Sequence, residues 1–242
     1  MRSILIMLGL LPLAAEAAHP LYTDDTGTQG AGGWQLELNA DRNLQRDGSP
    51  ATMLGNATLT FGATDTLDAF VSASWLRQWD GESSRQGAGD VALGVKWRAL
   101  ESGGFALALK PAVQLPTGSR EAGLGNGQAF YSLGLIASWS GEDWMLMANA
   151  GAAYLTADTG NRKRIYSVAG GGFYRVTPTV RLAGELVSYS SSDLAQSEDP
   201  AFATLGLIYS PADTLDFDVG IRAGLNDAIF RSSFGAGVTW RW

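Results

Sequence analysis

One histidine and no cysteine leave this chain poorly supplied for acid–base or nucleophilic chemistry. A Ser/His or Asp/His hydrolase needs a base that titrates near neutrality, which is most often histidine. His19, the single candidate, sits in a polar, glycine-rich stretch near the start of the chain. Thiolate metal sites need cysteine, and histidine metal sites need more than one ring. The chain therefore reads as neither an enzyme nor a metal or cofactor protein. What remains for chemistry is charge. The acids Glu37, Asp41, Asp68, Asp90, Glu185, Asp216 and Asp218 and the bases Lys96, Arg98, Lys110, Arg175, Arg181, Arg222, Arg231 and Arg241 recur at alternate positions between apolar residues. Interleaved signs of this kind either brace a partly wet interior through ion pairs or tune which solutes cross it. Three pairs are expected from strand ends: Asp68 with Arg98, Asp216 with Arg241, and Asp41 with Arg231.

The elements that place these charges are strands, because alternation with a period of two puts successive side chains on opposite faces. In the last twelve residues Phe234, Ala236, Val238, Trp240 and Trp242 share one face, and Arg231, Ser233, Gly235, Gly237, Thr239 and Arg241 share the other. The rule holds from Trp34 onward. Trp34, Leu36, Leu38 and Ala40 oppose Gln35, Glu37, Asn39 and Asp41. Leu67, Ala69, Val71, Ala73 and Trp75 oppose Asp68 and Phe70, and Val91, Leu93, Val95 and Trp97 oppose Asp90, Lys96 and Arg98. Twelve such strands fit the chain, and the number is even.

Their connections alternate in length. Gly62–Thr66, Ala99–Gly104, Ser140–Asp143, Val176–Thr179 and Ser210–Thr214 are short. Arg42–Pro50, Asp80–Gly87, Pro116–Gln128, Thr156–Arg164, Ser190–Pro200 and Asn226–Phe230 are longer. Bacterial outer-membrane barrels have short periplasmic turns, longer external loops, a lipid-facing apolar band and aromatic girdles. Trp97, Phe105, Trp139, Trp144, Tyr174, Tyr209, Trp240 and Trp242 fall beside the short turns, and Trp75, Trp79, Tyr131 and Tyr154 beside the long loops. The expected fold is thus an all-β, antiparallel, up-and-down transmembrane β-barrel spanning residues 34–242. A soluble sandwich or ligand-binding barrel would instead bury its apolar face in a dry core, and the small and charged residues of the second face could not fill one to interior density. Two places disturb the pattern: Pro111 predicts a bulge, since it cannot donate to a ladder, and Gly170-Gly-Gly172 predicts a bend or a close backbone approach.

The first seventeen residues carry a charged start, an apolar run from Ile4 to Leu13 and the small-x-small site Ala15-Glu-Ala17, the three parts of a secretory signal peptide. Cleavage near Ala17 would deliver the chain to the bacterial outer membrane. Residues 18–33 read as a flexible segment able to plug the barrel. A net charge of −7 argues against nucleic acid. An inward apolar set, Phe70, Ile136, Met145, Met147, Phe173 and Ile208, has no use in a plain water pore. It predicts one greasy wall that either grips an amphipathic solute or docks the N-terminal segment around Leu21 and Tyr22.

Several stretches carry a family resemblance: Thr23-Asp-Asp-Thr-Gly-Thr…Gly33-Trp-Gln-Leu-Glu-Leu38, Gly89-Asp-Val-Ala-Leu-Gly-Val-Lys-Trp97, Lys110-Pro…Leu115-Pro-Thr-Gly118, Gly123-Leu-Gly-Asn-Gly127 and Tyr209-Ser-Pro…Leu215-Asp. Together they are similar to outer-membrane transporter-like proteins named for the meta-cleavage pathway of phenol degradation. The resemblance implies a transporter-like barrel serving a small aromatic or amphipathic solute, and it carries over no catalytic residue. Expected partners are outer-membrane lipid and lipopolysaccharide, the barrel-assembly machinery and the solute. The alternative is a structural or surface-interaction barrel acting through its external loops.

Overall fold

A computed structural model describes residues 19–46, 51–79, 84–156 and 162–242. The expected signal peptide, residues 1–17, lies outside the described residues. The described chain forms twelve strands: β1 (Trp34–Leu44), β2 (Thr52–Thr64), β3 (Leu67–Trp79), β4 (Ser84–Ser102), β5 (Phe105–Leu115), β6 (Phe130–Ser140), β7 (Trp144–Leu155), β8 (Arg164–Thr177), β9 (Val180–Tyr189), β10 (Ala201–Ala212), β11 (Leu215–Gly224) and β12 (Ser232–Arg241). Each pairs antiparallel with the next, and β12 closes on β1. Closure leaves no strand edge unpaired, which a bilayer core demands because it offers no water to an orphaned amide. Every strand reaches the roughly 9–11 residues needed to cross the hydrocarbon at a tilt.

Side-chain parity is inside-out. On β6, Leu135 is 47% exposed while its neighbour Ile136 is 2% exposed; on β11, Val219 is 55% exposed and Asp218 4%. The outer surface is therefore apolar and the charges are sequestered, the reverse of a soluble fold and the arrangement of a transmembrane barrel. Turns of two or three residues join β2–β3, β4–β5, β6–β7, β8–β9 and β10–β11. In the β4–β5 turn Gly103 and Gly104 both have positive φ (59° and 82°), the requirement of the tight hairpin turn whose twist matches its strands. Aromatics gather at this end. Trp34 packs on Phe61 (4.7 Å between ring centres), Trp240 on Trp242 (4.8 Å) and Trp139 on Trp144 (6.3 Å). Trp34 and Trp242 exchange backbone hydrogen bonds of 3.0 and 3.1 Å, tying β1 to the last residue beside that girdle.

Two local expectations change, and a third narrows to one of its two alternatives. β4 starts at Ser84, so residues 84–87 of the expected 80–87 loop are strand: Trp75–Trp79 and Ser84–Ala88 continue to pair after the apolar alternation has ended. Backbone pairing outlasts the lipid-facing pattern because it does not depend on which solvent the side chains meet. Pro111 causes no bulge. Its register with β6 runs unbroken, Pro111 facing Leu133. On the other side the ladder to β4 lapses between Gly94–Ala112 and Trp97–Leu109 and resumes in the same register. The bulge in that pair lies instead between Arg98 and Leu100. At Gly170-Gly-Gly172 the register to β7 and β9 also runs straight, but the approach is close: a β-carbon on Gly171 would lie 2.7 Å from the Glu185 Cβ.

Candidate functional site

Residues 19–33 carry no strand or helix, yet they line the lumen along nearly its whole circumference. At the short-turn end Gly32 N donates to Gly62 O (2.8 Å), Thr28 Oγ1 to Asp65 O (2.8 Å) and Gln29 N to Asp68 (3.1 Å). The chain then crosses to β6, where Thr26 N donates to Ser138 Oγ (3.0 Å). Asp24 meets Lys110 at 2.7 Å and Lys96 at 3.5 Å, while the end of the Asn149 side chain lies against its backbone, 2.9 Å from Asp24 N and 3.0 Å from Asp24 O. These partners leave no bare buried charge, which would be strongly destabilising.

Next comes β9. The Glu185 carboxylate accepts from Tyr22 N (2.8 Å), Thr23 N (2.7 Å), Thr23 Oγ1 (2.7 Å) and Thr204 Oγ1 (2.7 Å). Leu21 is buried with Met147, Phe173, Ala183 and Ile208, and Met145 packs against that cluster. Higher in the lumen Ala169, Val187, Tyr189, Phe202 and Phe230 form a second apolar cluster, with Tyr22 and Ile229 against it.

The segment reaches the closing seam through a trough of glycines. Gly206 on β10 faces Gly220 on β11, which faces Gly235 on β12, which faces Asp41 on β1. A β-carbon on Gly206 would lie 2.3 Å from Pro20 Cγ, and one on Gly220 2.7 Å from Pro20 Cβ; one on Gly235 would lie 2.7 Å from His19 Nε2. Only glycine lets the rings of His19 and Pro20 lie flat on this wall. His19 Nδ1 pairs with Asp218 and its Nε2 lies 3.6 Å from Asp41, which also takes Arg222 at 2.5 Å; Arg222 in turn donates to Pro20 O (2.9 Å). Burial works against a charge on His19, but the hydrogen bond to Asp218 and the negative charges of Asp218 and Asp41 outweigh it and hold the imidazole above its usual pKa. Replacing Gly206 by valine, a good strand former, keeps the barrel and expels the dipeptide. Amide exchange at residues 21–23 is expected to rise to loop rates, and unchanged protection would show that the trough does not hold the segment.

The charges read from parity line the lumen with two exceptions and two exchanged partners. Asp216 binds Arg241 (3.0 Å), as expected, and also Arg181 (3.1 Å). Asp41 does not meet Arg231: the seam register sets Asp41 opposite Gly235, and Arg231 precedes β12 and is exposed. Asp68 lies opposite Lys96, while Arg98 pairs with Glu101 at 3.1 Å. Arg175 is exposed at the end of β8. Glu37 is buried, and Asp90 accepts from Gly118 N (2.9 Å) and Asn126 N (2.8 Å), drawing the 116–129 loop inward over the lumen. Of the apolar wall, Met145, Met147, Phe173 and Ile208 come together. Ile136 lines a small cavity with Tyr22, and Phe70 stands apart with Lys110 Nζ 5.0 Å from its ring centre. The girdle residues Trp97, Phe105, Trp139, Trp144, Tyr174, Tyr209, Trp240 and Trp242 are all exposed on the outer surface. A polar cavity of about 320 Å³ remains beside the segment, lined by Asp24, Glu37, Asp68, Lys96, Lys110 and Arg241 among others. Sequence reading missed Tyr189, Phe202 and Phe230. Parity marks the first two as inward, but Phe230 lies outside any strand and gives no such signal.

A closed, inside-out barrel of twelve antiparallel strands with a charged lumen defines a transmembrane β-barrel of the bacterial outer-membrane type. Within that class the chain belongs to the family described as "Putative MetA-pathway of phenol degradation", whose model matches residues 18–242. Among solved structures it is similar to an outer membrane channel from Pseudomonas putida F1 (15% identity, TM-score 0.74, covering 90% of this chain and 98% of that one). It is also similar to the NanC porin (12%, 0.64, 85% and 98%) and to the CymD monoaromatic hydrocarbon channel (9%, 0.51, 88% and 89%). No curated protein sequence matches it.

Proposed function

We propose that this protein is a non-enzymatic outer-membrane channel for a small amphipathic or aromatic solute, exported by its signal peptide and restricted by residues 18–33 acting as a plug. Lipid and lipopolysaccharide surround it in this reading, and the barrel-assembly machinery inserts it. The observation that carries the reading is a lumen spanned by polar contacts to a single strand-free segment, beside a residual polar cavity, rather than a dry core. Such a filling can be displaced without dismantling the wall, because the ladder hydrogen bonds do not run through it. The likeness of the fold to an outer membrane channel and to a monoaromatic hydrocarbon channel supports it. Purified protein reconstituted in planar bilayers should give discrete conductance steps. Silence from protein whose folded band still shifts on heating would instead favour a structural barrel acting through its loops.

The seat of His19 sets a pH dependence. The groups facing it are Asp41 of β1 and Asp218 and Arg222 of β11, with only Gly235 and Gly237 from β12. Because the seated imidazole has a raised pKa, its contribution to docking is complete below the ordinary value of about 6.5. It is lost as pH rises through the raised value. Conductance is therefore expected to grow on alkalinisation, and His19→Phe should abolish that response. A pH response unaltered in His19→Phe would assign it to other groups.

A further inference from the structure

Leu21 and Tyr22 fill two recesses that the barrel wall builds by itself. Leu21 is 2% exposed among Met147, Phe173 and Ile208. The Tyr22 ring meets Phe202 edge-on, 6.1 Å between centres, on the second apolar cluster. Between the recesses stands Glu185. The lumen acids Asp216 and Asp41 take arginines, whereas the hydrogen bonds accepted by Glu185 come from neutral donors: two backbone amides and one hydroxyl of the segment, and the Thr204 hydroxyl of the wall. Gly171 leaves the room that the Glu185 Cβ takes up at the base of this side chain. The wall thus presents a buried acceptor flanked by an aliphatic and an aromatic recess, and the chain's own residues satisfy it with donors set beside apolar groups.

We infer that Leu21, Tyr22 and Thr23 hold the place of the solute, and that the vacated site binds a neutral amphipath whose hydroxyl or amine donor lies next to an aromatic or aliphatic body. An aromatic alcohol is the simplest such ligand. Glu185 selects it, because a donor gains a charge-assisted hydrogen bond, roughly twice as strong as a neutral one. A solute carboxylate would instead face a like charge in a poorly solvated site. This deepens the channel reading and rests on it for the word solute, but the site itself is a binding claim and is tested without a bilayer.

Benzyl alcohol and benzoate are titrated calorimetrically into the full chain in detergent, with empty micelles as the blank. The ligands are compared on wild type, on Leu21→Gly/Tyr22→Gly, and on that variant carrying Glu185→Leu. A self-occupied site lowers apparent affinity by the fraction of time it stands open. The double variant is therefore expected to bind benzyl alcohol about tenfold more tightly than wild type. It should not bind benzoate, and Glu185→Leu should remove the alcohol binding. Equal binding of benzoate, equal affinity in wild type and double variant, or retention in Glu185→Leu overturns the inference. Should the variants fail to fold, hydrogen exchange on wild type decides: benzyl alcohol, and not benzoate, must speed exchange at residues 21–24, and no such difference overturns it. Binding without conductance would sink the channel and keep the site; conductance without binding would do the reverse.

Discussion

Deleting residues 18–33 is expected to raise single-channel conductance several-fold while the barrel stays folded. The segment takes up lumen from the Asp65 turn to the β12–β1 seam, and its removal adds that volume to the polar cavity beside it. Removal also strips Lys96 and Lys110 of Asp24, and Glu185 of three donors. In a dry core each orphaned group would cost about 1–3 kcal/mol or more. Here water replaces the segment and solvates the same groups, so the loss falls on the temperature at which the folded band disappears, not on whether the barrel forms. Unchanged conductance would remove the plug from the mechanism, whatever the solute.

The second large effect concerns the outer wall. Leu135→Arg and Val219→Arg put a charge in the middle of the lipid-facing band, at a cost of about 2–4 kcal/mol each. Heat-modifiable folding in vesicles should be lost or shifted strongly to unfolded protein. Asp218→Asn, one residue from Val219, should behave in the opposite way. The barrel folds normally, because its strand pairing is untouched, and only His19 is loosened. If both neighbours failed alike, lipid outside and water inside would be the wrong description of this wall.

Parity alone made the barrel legible. Leu93, Leu135 and Val219 announce a lipid face simply by alternating with Ala92, Ile136 and Asp218. Short and long links then orient the strands. What parity cannot supply is stagger. Whether Asp41 meets Arg231 or Gly235 depends on how far β12 slides against β1, and nothing local to either strand fixes that. Nor does it reveal the route of residues 19–33. Their contacts join positions far apart in sequence, Thr23 to Glu185 and His19 to Asp218, and the stretch has no period to read. The glycines of β10–β12 hid for a related reason. In a strand an inward glycine looks like a gap, and only the docked Pro20 shows it to be a seat.

The seat of His19 draws one wall from β1 and the others from β11 and β12, elements at opposite ends of the chain. No such niche exists until the cylinder has been sealed. Seating of His19 therefore has to follow the joining of β12 to β1, and a newly inserted molecule is expected to close its wall before that end of the segment finds its place.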